Sequence, residues 1–116
     1  MNREILISCG IDYDEGVAKF LDEAELYEKL LMDFPQDNTF EEARACMENH
    51  DYKGLEKAVH AMKSVTGTLS MHELYSCCSQ TVDLVRSGDY DFAEKLFEKT
   101  YDKYQKITEG IKLACG

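Results

Sequence analysis

The chain has 116 residues, with 13 Lys and Arg against 23 Asp and Glu, for a formal charge of −10. With 44% hydrophobic and 31% charged residues it has the composition of a folded chain, and its length suits one domain (1–116, core about 10–113) around one core. The negative field works against phosphate backbones and anionic lipid, so neither nucleic acid nor a membrane is an expected partner.

Cys9, Cys46, Cys77, Cys78 and Cys115 are odd in number and contain no C-x-x-C pair. That argues against a disulfide framework or a metal site, and for a reducing, cytoplasmic setting. No apolar run approaches the roughly 18–20 residues of a membrane span, and the opening MNREILISCGIDYDEG turns acidic too early for a signal peptide.

Apolar positions recur at helical spacing almost throughout, which predicts an all-α chain. Four pairs, Asp12 with Glu15, Asp22 with Glu25, Thr39 with Glu42 and Ser70 with Glu73, have the spacing of capping boxes. They predict a short helix from about Tyr13 to Phe20. A second starts at Glu23, with Leu26, Tyr27, Leu30, Leu31 and Phe34 on one side, and Pro35 interrupts it by removing a backbone donor. Thr39 restarts a helix that carries Phe40, Ala43, Cys46 and Met47 to the corner at Glu48–Asp51.

The next helix starts near Tyr52 and turns Leu55, Val59, Met62, Thr66 and Leu69 inward. Ser70 then caps a helix with Met71, Leu74, Cys78 and Val85 facing in, ended by Ser87-Gly88-Asp89. Ala93, Leu96, Thr100, Tyr104, Ile107 and Ile111 form the stripe of a long last helix. Short connections make successive long helices antiparallel, so the expected fold is an antiparallel up-down four-helix bundle with a short extra N-terminal helix.

At about 100° per residue, His60 points well away from the side defined by Leu55, Val59, Met62 and Thr66. Ser64 and Gly67 follow on the outer face and leave it shallow, while Lys63 lies on the adjoining row. Lys53 and Lys57 add a basic strip, an anomaly on so acidic a chain. Neutral imidazole is a capable nucleophile, and a phosphoryl group placed on it needs compensating charge, which a neighbouring ammonium supplies. The bland alternative is a solvated face with Glu56 paired to His60 at i,i+4. His50, near a helix C-terminus, and His72, in a first turn, lack such surroundings.

The stretch VHAMKSVTGTLSMHEL, Val59 to Leu74, resembles the histidine-containing phosphotransfer (HPt) domain of two-component phosphorelays, whose pattern is H-x-x-K followed by small residues and an apolar position. An aspartate-rich short first helix, a tyrosine near Tyr27 and an Asp-aromatic pair like Asp51-Tyr52 extend the likeness. The chain departs from the pattern at Ser70, where glycine is usual, and at Val82, near where some members carry a glutamine that orients the histidine.

The resemblance implies that His60 is phosphorylated and that Lys63 stabilises its phosphate. It also implies that Ser64 and Gly67, with Lys53 and Lys57, meet a receiver domain. The expected partners are response-regulator receivers and a hybrid histidine kinase. No cofactor is expected on this chain, no ATP site and no kinase activity; Mg2+ would sit in the receiver's acidic pocket. The rival reading is a non-phosphorylated helical adaptor docking through the same face. A carboxylate-bridged di-metal bundle would need inward Glu-x-x-His pairs, and none occurs.

Overall fold

The computed structural model describes residues 1–116. Its regular structure is entirely helical: α1 (Arg3–Cys9), α2 (Tyr13–Lys19), α3 (Ala24–Asp33), a 3-10 turn over Phe34–Gln36, α4 (Thr39–Glu48), α5 (Tyr52–Thr68), α6 (His72–Arg86) and α7 (Tyr90–Cys115). α4 packs on α5, α5 on α6 and α6 on α7, and α7 also touches α1, α3 and α4. At about 1.5 Å per residue, the 26 residues of α7 run roughly 39 Å, close to the 41 Å long axis of the molecule.

One contiguous cluster of 22 buried residues forms the core. Most of the inward stripes expected of the last three helices lie in it, from Leu55, Val59 and Met62 through Leu74, Cys78 and Val85 to Ala93, Tyr104, Ile107 and Ile111. On α7, however, Leu96 is only partly buried and stands outside the cluster, and the adjacent Phe97 turns inward in its place. Among the adjacent cysteines, Cys78 is the one in the core. Burial pushes its thiol up to about 12, so Cys78 stays unreactive while Cys115 is exposed. A thiol-reactive probe at pH 8 should modify Cys115 within minutes and Cys78 only once the chain is unfolded; simultaneous labelling of both would contradict this packing.

Several expectations need correction. The first helix is α1, seven residues before the expected start of the core: Leu6 is fully buried, the Asn2 N–H donates to Ala114 O (3.1 Å), and Gly110 of α7 faces Cys9 so closely that a Cβ there would lie 2.5 Å from its Sγ. The seven residues REILISC are too few for helical periodicity to reveal it. Leu26 is 45% exposed and stands outside the α3 stripe.

Of the four capping boxes, only Asp12 caps as expected, accepting from Glu15 N at 3.2 Å. Asp22 lies in the left-handed region (φ 62°) and Glu23 holds the cap position of α3. Thr39 is the first residue of α4, and it is Asp37 that accepts from the Thr39 N–H and hydroxyl. Ser70 is also left-handed (φ 59°) and fully buried, with its hydroxyl unpaired, and Met71 precedes α6 in the cap position. That backbone geometry is the physical reason a glycine suits position 70.

Two cross-links read the register of the later helices. Arg86 Nε donates to Glu56 Oε1 (2.5 Å) between α6 and α5, and Lys103 Nζ to Glu73 Oε2 (3.0 Å) between α7 and α6. The Lys103 hydrogen bond and charge hold Glu73 below the usual carboxylate range. A depressed carboxyl contributes stability above its unfolded pKa and loses it as pH falls through the folded one, so this link weakens in acid.

Candidate functional site

α5 carries the site, and both of its ends are pinned. At the N-terminus the Asp51 carboxylate accepts from Gly54 N at 3.0 Å. A Cβ on Gly54 would come within 2.5 Å of that carboxylate and 2.8 Å of Cys46 Sγ, so any larger residue would have to displace the capping carboxylate or the thiol at this tight corner with α4. At the C-terminus the last carbonyls, which lack helical partners, are met from outside α5. The Tyr27 hydroxyl donates to Leu69 O (2.6 Å) and Lys19 Nζ donates to Gly67 O (2.8 Å). A cation is favourable there because the helix dipole leaves that end negative.

Between these pins the helix divides cleanly. Leu55, Val59, Met62 and Thr66 are fully buried, and Thr66 satisfies its hydroxyl by donating to Met62 O at 2.8 Å. On the opposite side Lys53, Lys57, His60, Ser64 and Thr68 are exposed, with Lys63 and Gly67 half-buried on the flank toward α6.

His60 enters no hydrogen bond or ion pair within the chain. The carboxylate one turn before it, Glu56, is held across the helix interface by Arg86, so the i,i+4 contact of Glu56 with the imidazole, the bland alternative, is not made. Lys63 reaches sideways over α6, its Nζ 5.8 Å from the centroid of the Tyr75 ring. Lys53 and Lys57 lie on the first half of α5, about two turns and one turn before His60 respectively. Val82 is buried in the core, 2% exposed.

Past Ser64, on the side away from Lys63, a groove of about 330 Å³ opens between α5 and the end of α3. Leu30, Phe34, Val65 and Leu69 make an apolar floor, with Ser64 and Thr68 on the α5 edge and Asp33 and Asp37 opposite. The outer face therefore offers a bare imidazole, cations on two sides and an apolar channel along a third.

The other two histidines are engaged. His72 Nε2 lies 2.6 Å from Glu15 Oε2 and 3.5 Å from Asp12 Oδ2, an exposed cluster that fastens α6 to α2 when the imidazole is protonated. His50, at φ 56°, places Nδ1 3.1 Å from the Tyr52 hydroxyl. That hydroxyl donates to Glu94 Oε2 (2.6 Å), which pushes the phenol up to about 12. Tyr52 also stacks on Tyr90, centroids 3.9 Å apart.

Sequence reasoning missed Tyr75, Arg86 and Lys19, which shape the surroundings of α5 from other elements. A signal was present for two of them. In an antiparallel hairpin, residues equidistant from the turn meet; Gly67 and Tyr75 are equidistant from Met71, and so are Glu56 and Arg86. Lys19 meets α5 across a long separation that no local pattern encodes. Comparison with protein-family models, curated proteins and solved structures finds no match for this chain.

Proposed function

We propose that this protein is a phosphoryl carrier of the HPt type: His60 accepts a phosphoryl group from a receiver-domain aspartate and passes it to another receiver. The observation that carries the reading is the unpaired, exposed imidazole on the outer face of α5, with the Lys63 ammonium one turn beyond it. In this reading α4 to α7 make up an antiparallel up-down four-helix bundle, the shorter N-terminal helices cover one end, and the chain works in the cytoplasm.

The step is an in-line displacement. The lone pair of the unprotonated ring nitrogen attacks phosphorus, the N–P bond forms, and the acyl O–P bond breaks, returning the aspartate as carboxylate. The other ring nitrogen keeps its proton, and the reverse reaction regenerates the acyl phosphate. Little covalent chemistry is asked of the protein, so positioning and charge dominate. Lys63 meets the phosphoryl oxygens as a compact point charge, and Lys53 and Lys57 favour an acidic receiver surface. The receiver would hold the Mg2+.

Incubation with a phosphorylated receiver, and a panel of receivers from the same cell, tests the reading directly. Lys63→Ala should slow transfer or shorten the adduct's lifetime by about tenfold, the scale of one lost charge-assisted contact (about 1.5 kcal/mol), with unchanged circular dichroism. An unchanged rate would remove Lys63 from the mechanism.

The apolar groove beside Ser64 favours a second reading, a helical adaptor that docks the same partners without chemistry. Under it, a receiver binds equally well to the parent chain and to His60→Gln, and no phosphoryl adduct forms on either.

A further inference from the structure

Gly67 has a neighbour that its place on the outer face does not suggest. A Cβ at this position would meet Cδ2 and Cε2 of Tyr75 at 3.1 and 3.2 Å, closer than ordinary van der Waals contact. The room left by the missing side chain is therefore taken up within the molecule, by a ring from α6. The same ring lies under the Lys63 ammonium, 5.8 Å from its centroid. Lys63 and Gly67 are one turn apart on the α6 flank of α5, so a ring seated on the glycine lies directly below the lysine.

We infer that Tyr75 is a positioning residue: seated on Gly67, its ring holds the Lys63 ammonium at the edge of the face that presents His60. The role as a phosphate-positioning device rests on the phosphoryl-carrier reading; the hold on Lys63 does not.

A lysine on a helix surface has a long, rotamer-rich stem, and an ammonium that wanders loses most of its value to a phosphoryl group that occupies one place. The face of an aromatic ring carries negative charge density and attracts a cation within about 6 Å. No carboxylate pairs with Lys63, so the ring restrains the ammonium without neutralising it. A carboxylate in that place would compete with phosphate for the same charge. Tyr75 is itself 40% exposed, so the ring is not sealed inside the α5–α6 interface.

The test has two arms. The first reads Lys63 without any phosphate. In an isotope-labelled chain, the Lys63 Hδ and Hε resonances should be displaced upfield by the ring current of Tyr75. The displacement should vanish in Tyr75→Leu, persist in Tyr75→Phe, and change in Gly67→Ala, where the new methyl makes the ring give by a few tenths of an ångström with both side chains retained. Lys63 resonances that are the same in the parent, Tyr75→Leu and Gly67→Ala overturn the inference.

The second arm phosphorylates the chain chemically with phosphoramidate, then follows decay of the adduct and its transfer to a receiver. Tyr75→Leu should slow transfer about two- to fivefold, the range expected of one exposed cation–π contact, and Tyr75→Phe should restore it. In a Lys63→Ala background, Tyr75→Leu should add nothing, which a general structural role would not produce; a full additional loss there overturns the inference. If no variant forms an adduct while the Lys63 resonances still depend on Tyr75, the hold on the lysine stands and the phosphoryl-carrier reading falls.

Discussion

His60→Gln is expected to reduce the phosphoryl adduct to background, while His50→Gln and His72→Gln leave it intact. The adduct on the parent chain should be labile in acid and stable in alkali. Protonation of the ring makes neutral imidazole a good leaving group, whereas an acyl phosphate is cleaved by hydroxide. Glutamine keeps a comparable size, a polar tip and good helix propensity at an exposed position, so folding stability should change by no more than about 0.5 kcal/mol. Loss of the label therefore reports chemistry and not unfolding. Phosphate that remains in His60→Gln at parental levels would place the modified group elsewhere and reject the assignment.

Tyr27→Ala is expected to be the most damaging single change to the scaffold behind the site. The side chain is fully buried, its ring packs edge-on against Tyr13 and beside Phe20, and its hydroxyl donates to Leu69 O at the end of α5. Gly16 of α2 sits so close that a Cβ there would lie 2.1 Å from the ring, so α2, α3 and α5 all meet on this residue. Removing a buried aromatic costs about 3–5 kcal/mol, which for a chain of this size lowers Tm by roughly 10–20 °C. Tyr27→Phe should lose only about 1–3 kcal/mol, the cost of leaving Leu69 O without its donor. Equal losses in the two variants, measured by denaturant unfolding, would mean that the hydrogen bond and not the packing holds α5 to α3.

The long, strongly periodic helices are legible because burial of one stripe is a repeated signal: spacing alone places most inward residues of α5, α6 and α7, the exception being Leu96, where the neighbouring Phe97 fills the core instead. The solvent-facing position of His60 followed from the same wheel. Caps were less legible, since Asp22, Thr39 and Ser70 each stand one residue from the true boundary with a plausible side chain. The backbone decided between neighbours through left-handed turns at Asp22 and Ser70. α1 was hidden because seven residues give too few repeats and because its seat is on α7, at the far end of the chain. At the site, the residues of α5 itself could be read, whereas the partners that steer them, Tyr75 and Arg86, required the pairing of two helices.

The seat of α1 on α7 has a consequence for the order in which the protein acquires its structure. On a ribosome, α1 emerges well before α7, yet the surface that covers Leu6 and the carbonyl that accepts the Asn2 N–H belong to α7. Local hairpins such as α5–α6 can close as soon as they leave the exit tunnel, whereas α1 must wait, its apolar side uncovered, until synthesis has passed Ala114. Of the helices described, α1 thus waits longest for its partner and has the most need of shelter during translation.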